Sequence, residues 1–255
     1  MFTPGITTTA TRGRIFAIAG QSLHVVRDGE RARVPVAVPP PGALYLGDLD
    51  GEACFAVDGA VDAGEPAALR QLFGVLSDDE FGVAGRALGL TAWDRDHRFC
   101  GRCAAPTERS TTERVRTCRA CNHGAYPRLS PAVIMLVERD GRALLARNAR
   151  FTLPFFSTLA GFVEVGETLE HAVAREVREE AGIDVTEIRY FGSQPWPFSG
   201  SLMIGFTARW SAGEIVADPV ELADAGWFAP GELPPVPPKL SIARELIDDF
   251  VSRHR

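Results

Sequence analysis

No apolar run in this 255-residue chain approaches the roughly 20 residues that a bilayer-spanning helix needs, so no membrane anchor is read from it. Residues Met1 to Gly5 lack a basic segment leading into an apolar core, so no secretory signal is read there, and a cytoplasmic protein is expected. An excess of positive charge is also missing. Lys and Arg number 27 against 33 Asp and Glu, a net charge of −6, which argues against a surface that coats nucleic acid generally and leaves room only for a local basic groove. No internal repeat stands out, and residues 1 to about 95 hold no cluster of catalytic residue types. What remains is 45% hydrophobic and 24% charged, ordinary for a globular chain, and long enough for two domains.

Cysteine is scarce, at five residues, and four of them are paired in sequence as Cys100-Gly-Arg-Cys103 and Cys118-Arg-Ala-Cys121. Each CxxC puts two thiolates on one tight turn, and an intervening hairpin can bring the two turns together as a tetrahedron around zinc. A redox pair or two disulfides are the competing readings, and the doubled spacing favours one structural Zn2+. His97 and His123 flank the turns and are read as neighbours rather than ligands. Cys54 lies in an apolar run, Ala53 to Val57, and is expected to be a buried core residue.

Carboxylates crowd a second stretch. Residues 168 to 181 read as a helix, with Thr168 near its start and Gly182 as its stop. Glu176 and Glu180 are four apart and share a face, with Glu179 beside them. Like charges at that spacing cost a helix about 0.2–0.5 kcal/mol per pair, and a cation between them reverses the sign. Oxygen-only ligands suit a hard ion such as Mg2+. The alternative is a solvated acidic face with Arg175 and Arg178 as counterions.

Around these motifs the chain divides into residues 1–95, 96–127 and 128–255. The first part reads as short strands at 14–19, 23–26, 34–38 and 54–57, with helices at 67–76 and 79–93, and serves as a structural or dimer-forming α/β domain. The last part reads as strands at 131–137, where a continuous apolar run is consistent with a buried strand, and at 142–147, 159–163, 188–191, 202–209 and 227–228, with a hairpin at Asp140-Gly141 and a closing helix at 241–251 capped by Ser241. Residues 230–238 are an extended proline-rich surface loop.

From Gly161 to Ile183 the sequence fits G-x5-E-x7-R-E-U-x-E-E-x-G-U without a gap, U being aliphatic, with Glu167 as the first fixed carboxylate. Here the chain resembles the Nudix hydrolases. The resemblance implies an α/β/α sandwich with a mixed sheet, a Nudix-like first domain, and cleavage of a nucleoside-linked diphosphate with Mg2+ or Mn2+. The zinc ribbon and the segment Ser193-Gln-Pro-Trp-Pro-Phe-Ser-Gly-Ser201 make the chain similar to the NADH pyrophosphatases, which also remove NAD caps from RNA. The family segment usually has a third proline where Ser199 stands.

That segment has its own chemical logic. The segment reads as a loop whose conformations Pro195 and Pro197 restrict. Trp196 and Phe198 offer flat faces to a nicotinamide or adenine ring, and Gln194 with the serines offers hydrogen bonds. The resemblance further implies a metal set of Glu176, Glu179, Glu180, the Ala160 carbonyl and Glu221. It implies a substrate set of Arg70, Glu113, Tyr126, Phe162, Gln194, Pro195, Trp196, Pro197, Phe198, Ser199, Gly200, Ser201 and Ala243. Glu179 or Glu180 serves as general base, with Glu176 in the same catalytic group, and Arg175 holds Glu167. A homodimer is implied as well. Competing functions are hydrolysis of ADP-ribose or a diadenosine polyphosphate, or a non-catalytic NAD sensor or zinc-ribbon nucleic-acid adaptor.

Overall fold

A computed structural model describes residues 1–149 and 155–254 and divides them into two compact units. The first comprises Met1–Arg128 with Pro197–Gly200, and the second the remaining described residues. Among the described residues no helix is long and apolar enough to cross a membrane.

The first unit opens with strands β1 (Phe2–Pro4), β2 (Gly13–Ala19), β3 (Ser22–Asp28), β4 (Arg31–Arg33), β5 (Val36–Ala37), β6 (Leu44–Leu49), β7 (Glu52–Asp58) and β8 (Glu65–Ala68). They form one sheet in the order β1-β6-β7-β2-β3-β4, with β5 on β2 and β8 on β3. Helix α1 (Asp78–Asp96) covers it, burying Val83, Ala84, Ala87 and Trp93 against Phe16, Ile18, Leu46 and Cys54. Ser77 caps α1 by accepting from the Glu80 N–H at 3.3 Å. Three short strands follow, β9 (Thr107–Arg109), β10 (Arg116–Cys118) and β11 (Gly124–Ala125), in the order β11-β10-β9.

Two expectations fail here. The helix expected over residues 67–76 is the end of β8 followed by one 3-10 turn, Leu69–Leu72. Leu69, Leu72 and Leu76 are buried, which produces the helical spacing, but Gly74 in the left-handed region (φ 73°) ends any helix there. The strand expected at 34–38 is broken at Val34 and Pro35 into β4 and β5. Cys54 is fully buried, as expected, and burial pushes its thiol up to about 11.

The second unit runs β12 (Ser130–Arg139), β13 (Arg142–Asn148), β14 (Leu159–Phe162), α2 (Leu169–Ala181), β15 (Asp184–Trp196), β16 (Ser201–Ala212), β17 (Leu222–Phe228) and α3 (Ile242–Arg253). The sheet order is β15-β16-β12-β13-β17, with β14 on β12. The β12–β16 pair is parallel and its other neighbours antiparallel, so the sheet is mixed. The apolar run of β12 has a simple cause: alternate residues serve opposite cores. Val133, Met135 and Val137 pack with α2 residues Val173 and Val177, while Ile134 and Leu136 pack with α3 residues Leu246 and Phe250. The unit is an α/β/α sandwich. Asp140 and Gly141 both take positive φ, 50° and 72°, as a two-residue hairpin requires.

The short strand expected at 188–191 is a 13-residue strand that continues through Ser193, Gln194, Pro195 and Trp196. Pro195 pairs with Leu202 in register. This corrects the reading of residues 193–201 as one loop: only Pro197–Gly200 turn. Because β15 is an edge strand, Pro195 does not remove an interior ladder bond.

Candidate functional site

The four cysteines converge as the doubled spacing suggested. All four Sγ atoms lie within 4.8 Å of one another. Three of the sulfur–sulfur separations are 3.7, 3.5 and 3.5 Å. A tetrahedron with arms of about 2.3 Å, the zinc–thiolate distance, has edges of about 3.8 Å. The two turns are built alike: Ala104 and Asn122, each just past a second cysteine, take positive φ (61° and 57°) and donate to the carbonyls of Cys100 and Cys118 at 2.8 Å. The Arg102 N–H bonds the Cys100 sulfur at 3.4 Å and is the first cause drawing that thiol down to about 7. The donor set fits Zn2+, and neither histidine belongs to it.

In the second unit, helix α2 carries the carboxylates. Thr168 caps it by accepting from the His171 N–H at 3.2 Å, and Gly182 ends it in the left-handed region (φ 73°). Glu176 and Glu180 face inward, 9% and 5% exposed, while the Glu179 side chain is 58% exposed. Strand β14 passes against them. A Cβ on Gly161 would lie 1.8 Å from the Glu176 carboxyl carbon, so this position must be glycine for Glu176 to sit where it does.

Arg175 organises the acidic face. Its Nε and Nη2 meet the two Glu167 oxygens at 2.9 Å each, and Nη2 also donates to the Phe162 carbonyl at 2.9 Å. Nη1 bridges Glu176 (2.8 Å) and Glu179 (3.0 Å). The guanidinium thereby holds the loop to the helix, as the sequence suggested, and draws Glu167 down to about 2.

Glu180 has the opposite environment. Burial first, then the charges of Glu176 and Glu221, push its carboxyl up to about 8, and Asp218 adds to them. A backbone hydrogen bond from Ala160 works the other way. Burial also raises Glu176. Glu180 Oε1 is buried without a hydrogen-bond partner among the described residues. A carboxylate-only donor set with one orphaned oxygen fits a hard divalent cation. The loop that brings Glu221 and Asp218 here is tied to the end of α2: Val216 and Asp218 donate to the carbonyls of Ala181 and Glu180, both at 2.9 Å. Asp218 was missed in the sequence. Its only signal was its place three residues before Glu221.

These shifts make a pH prediction. Between the ordinary value of 4.5 and about 8, the folded chain keeps a proton on Glu180 that the unfolded chain has lost. Without divalent cation, this group therefore makes stability fall as pH rises through that window. Cation binding needs the ionised form. The rise in Tm on adding Mg2+ is expected to be small near about pH 6 and to grow towards about pH 8 and above. Scanning fluorimetry across pH reads this, and a pH-independent rise would detach Glu180 from the cation.

The substrate candidates are divided between the two units. Gln194 spends its amide on α3: Nε2 donates to the Leu240 carbonyl and Oε1 accepts from the Ile242 N–H, each at 2.9 Å. The reading of Ser241 as the cap holds for its position and not for its hydroxyl. Ser241 holds the N-cap position, but its hydroxyl makes no capping bond, and Gln194 satisfies the helix instead. Ala243, in the first turn of α3, has a buried methyl, leaving its backbone N–H as the group it can offer. Ser201 is buried and Phe162 is 56% exposed.

Within the first unit, Tyr126 and Glu113 come together, the phenol donating to Glu113 Oε2 at 3.2 Å, with the ring 55% exposed. Pro197–Gly200 belong to this unit. Arg70 stacks on Phe198, Cζ lying 4.2 Å from the ring centre, and Gln21 donates to the Phe198 carbonyl at 3.2 Å. Pro197 packs close to Gly85 of α1, while Pro195, Trp196 and Ser199 remain part-exposed or exposed.

Sequence profiles match three regions: a NUDIX domain over residues 127–250, an NADH pyrophosphatase zinc ribbon domain over 95–126, and an NADH pyrophosphatase-like rudimentary NUDIX domain over 9–93. A relative named NAD-capped RNA hydrolase NudC, from Stutzerimonas stutzeri, is 46% identical over 212 residues, 82% of this chain and 77% of its own length. Another of that name, from Deinococcus radiodurans, is 42% identical over 247 residues, 91% of this chain and 88% of its own. Among solved structures, a Nudix hydrolase from Nitrosomonas europaea aligns with a TM-score of 0.52 at 22% identity, covering 61% of this chain and 91% of that one, a likeness of fold.

Proposed function

This chain belongs to the Nudix hydrolases, in the branch that joins a rudimentary Nudix domain and a zinc ribbon to the catalytic domain, and from that premise we propose that it hydrolyses the diphosphate of NAD(H) and removes NAD caps from RNA. Free dinucleotide yields nicotinamide mononucleotide, reduced or oxidised, and AMP, and capped RNA yields a 5′-monophosphate end. The observation that carries the reaction type is the buried Glu180, orphaned at Oε1 and crowded by Glu176, Glu221 and Asp218.

Glu176, Glu180 and Glu221, with Glu179 and the Ala160 carbonyl, are assigned to hold Mg2+ or Mn2+. When bound, such an ion neutralises diphosphate charge and acidifies an attacking water. Glu179 or Glu180 is assigned as general base for that water, both standing beside Glu176 on α2. Arg175 positions Glu167 and Glu176 and touches no reacting atom. The zinc ribbon is structural.

Trp196 and Phe162 are assigned to the nicotinamide, with Ala243 contributing its backbone. Substituting Trp196 by Ala is expected to lower kcat/KM for NADH and for NAD-capped RNA together by about 5- to 150-fold, the scale of one lost base stack. ADP-ribose should lose far less. Turnover of all three on one preparation tests both the substrate assignment and the ring: equal losses would make Trp196 a support for the strand, and ADP-ribose turned over best by the unmodified protein would refute the substrate.

The same reading includes a cytoplasmic homodimer, with the first 95 residues as the structural and dimer-forming part. The thiolate cluster, which needs a reducing compartment, supports the location. The exposed Tyr126 ring, presented with Glu113, supports a contribution to the other subunit's site. Tyr126→Ala and Glu180→Gln proteins, each inactive or weak alone, should then complement on mixing. Random exchange gives roughly a quarter of the unmodified rate, since half the dimers are mixed and each holds one complete site. Absence of any recovery after verified exchange would place Tyr126 outside the partner's site.

A further inference from the structure

Two part-buried guanidiniums of the first unit, each with a sealed Nε, meet no acid among the described residues. Arg86 projects from α1, its Cζ 5.7 Å from the centre of the Phe2 ring. Arg114, just before β10, gives Nη2 to the carbonyls of Gly5 and Tyr45, both at 2.5 Å. Nε of each is buried without a partner. Among the described residues no carboxylate acts on either group. Burial alone lowers Arg86, and burial together with the positive charges of Arg86 and Arg109 lowers Arg114.

The same unit shows what it does with arginines it means to neutralise. Arg109 and Arg116 converge on the buried Asp94, at 2.5 and 2.6 Å. A desolvated charge is ordinarily paired, and Arg86 and Arg114 both reach the same short stretch of chain, at Phe2 and at Gly5, so two charges of like sign repel there as well. Arg86 makes no hydrogen bond among the described residues, and only its Nε is sealed, so its two Nη groups remain available to a ligand. Arg114 likewise keeps Nη1.

We propose that Arg86 and Arg114 form a binding site for a phosphate-class oxyanion, separate from the carboxylate site of the second unit. The planar forks match phosphate oxygens, and two cations without an acid match a dianion. The phosphate has two possible sources, a small free anion such as inorganic phosphate or a nucleotide, or the phosphate of an RNA chain.

Arg86→Met removes the charge and keeps the stem. In chloride buffer of fixed ionic strength, without added divalent cation, inorganic phosphate should raise the Tm of the unmodified protein along a saturating curve. Arg86→Met should need at least about tenfold more phosphate to reach the same point, as expected for a lost charge-assisted pair. Its Tm without phosphate should not fall, because an uncompensated charge has been removed. If that variant does not fold, Arg86→Lys keeps the charge, loses the fork, and should still weaken the response severalfold.

Superimposable curves for the two proteins would overturn the proposal. So would a non-saturating rise in both, which is surface exclusion of the salt, or a Tm governed by protein concentration alone, which would give the two arginines to a carboxylate of a second copy. Titration of AMP and of a 5′-phosphorylated oligoribonucleotide then separates the sources. An Arg86-dependent response equal for both assigns a small anion, and one that is stronger for the oligoribonucleotide and steeper with salt assigns a chain phosphate.

Discussion

Glu180→Gln is expected to lower kcat by about 10²-fold or more, the scale for loss of a group acting through a metal or as a general base. Gln keeps the shape of the side chain and removes the charge that burial and Glu176 make unfavourable. The fold should therefore survive. Without divalent cation at about pH 8, the variant should melt no lower than the unmodified protein, and its Tm should lose most of its response to Mg2+. Kinetics and melting on the same preparation check both parts. A variant that retained most of its kcat would remove Glu180 from catalysis, and one that melted much lower would make it a structural residue.

Gly161→Ala is expected to do comparable damage by another route. The added Cβ would lie 1.8 Å from the Glu176 carboxyl carbon and 2.1 Å from both of its oxygens. The clash falls on the end of a side chain, which can swing away, so the stability cost should be modest, about 1–3 kcal/mol. Glu176 would then leave both the Arg175 contact and the metal face. Activity should fall by about 10²-fold while Tm drops by a few degrees. Activity within a factor of about ten of the unmodified enzyme would mean that Glu176 need not occupy this position.

Features written locally in the sequence were the legible ones. The doubled CxxC spacing announced the thiolate cluster, the i, i+4 glutamates announced the α2 face, and the apolar run of β12 announced a strand buried on both sides. What stayed hidden depends on residues far apart in the chain. Asp218 joins the acidic cluster only because its loop is tied to the end of α2. The serine at the start of α3 looked like a cap, yet Gln194, 48 residues away from Ile242, supplies the bond. The prolines of residues 193–197 suggested a loop because sequence does not say which strand is at a sheet edge, where proline is tolerated. Arg86 is another such case: in sequence it is one basic residue on a helix, and its lack of a counterion among the described residues appears only in three dimensions.

The Gln194 clamp on α3 has a consequence for which side chains the position can accept. It requires one donor and one acceptor at the reach of a three-carbon amide, the donor for Leu240 and the acceptor for Ile242. Glu offers no donor when ionised, Asn is one methylene short, and Leu fills the space while leaving both backbone groups unanswered. The alphabet therefore offers one fitting letter at this site even if nothing of the substrate ever touches it. Invariance at Gln194 among related chains would accordingly be no proof of ligand contact, because helix docking alone is enough to enforce it.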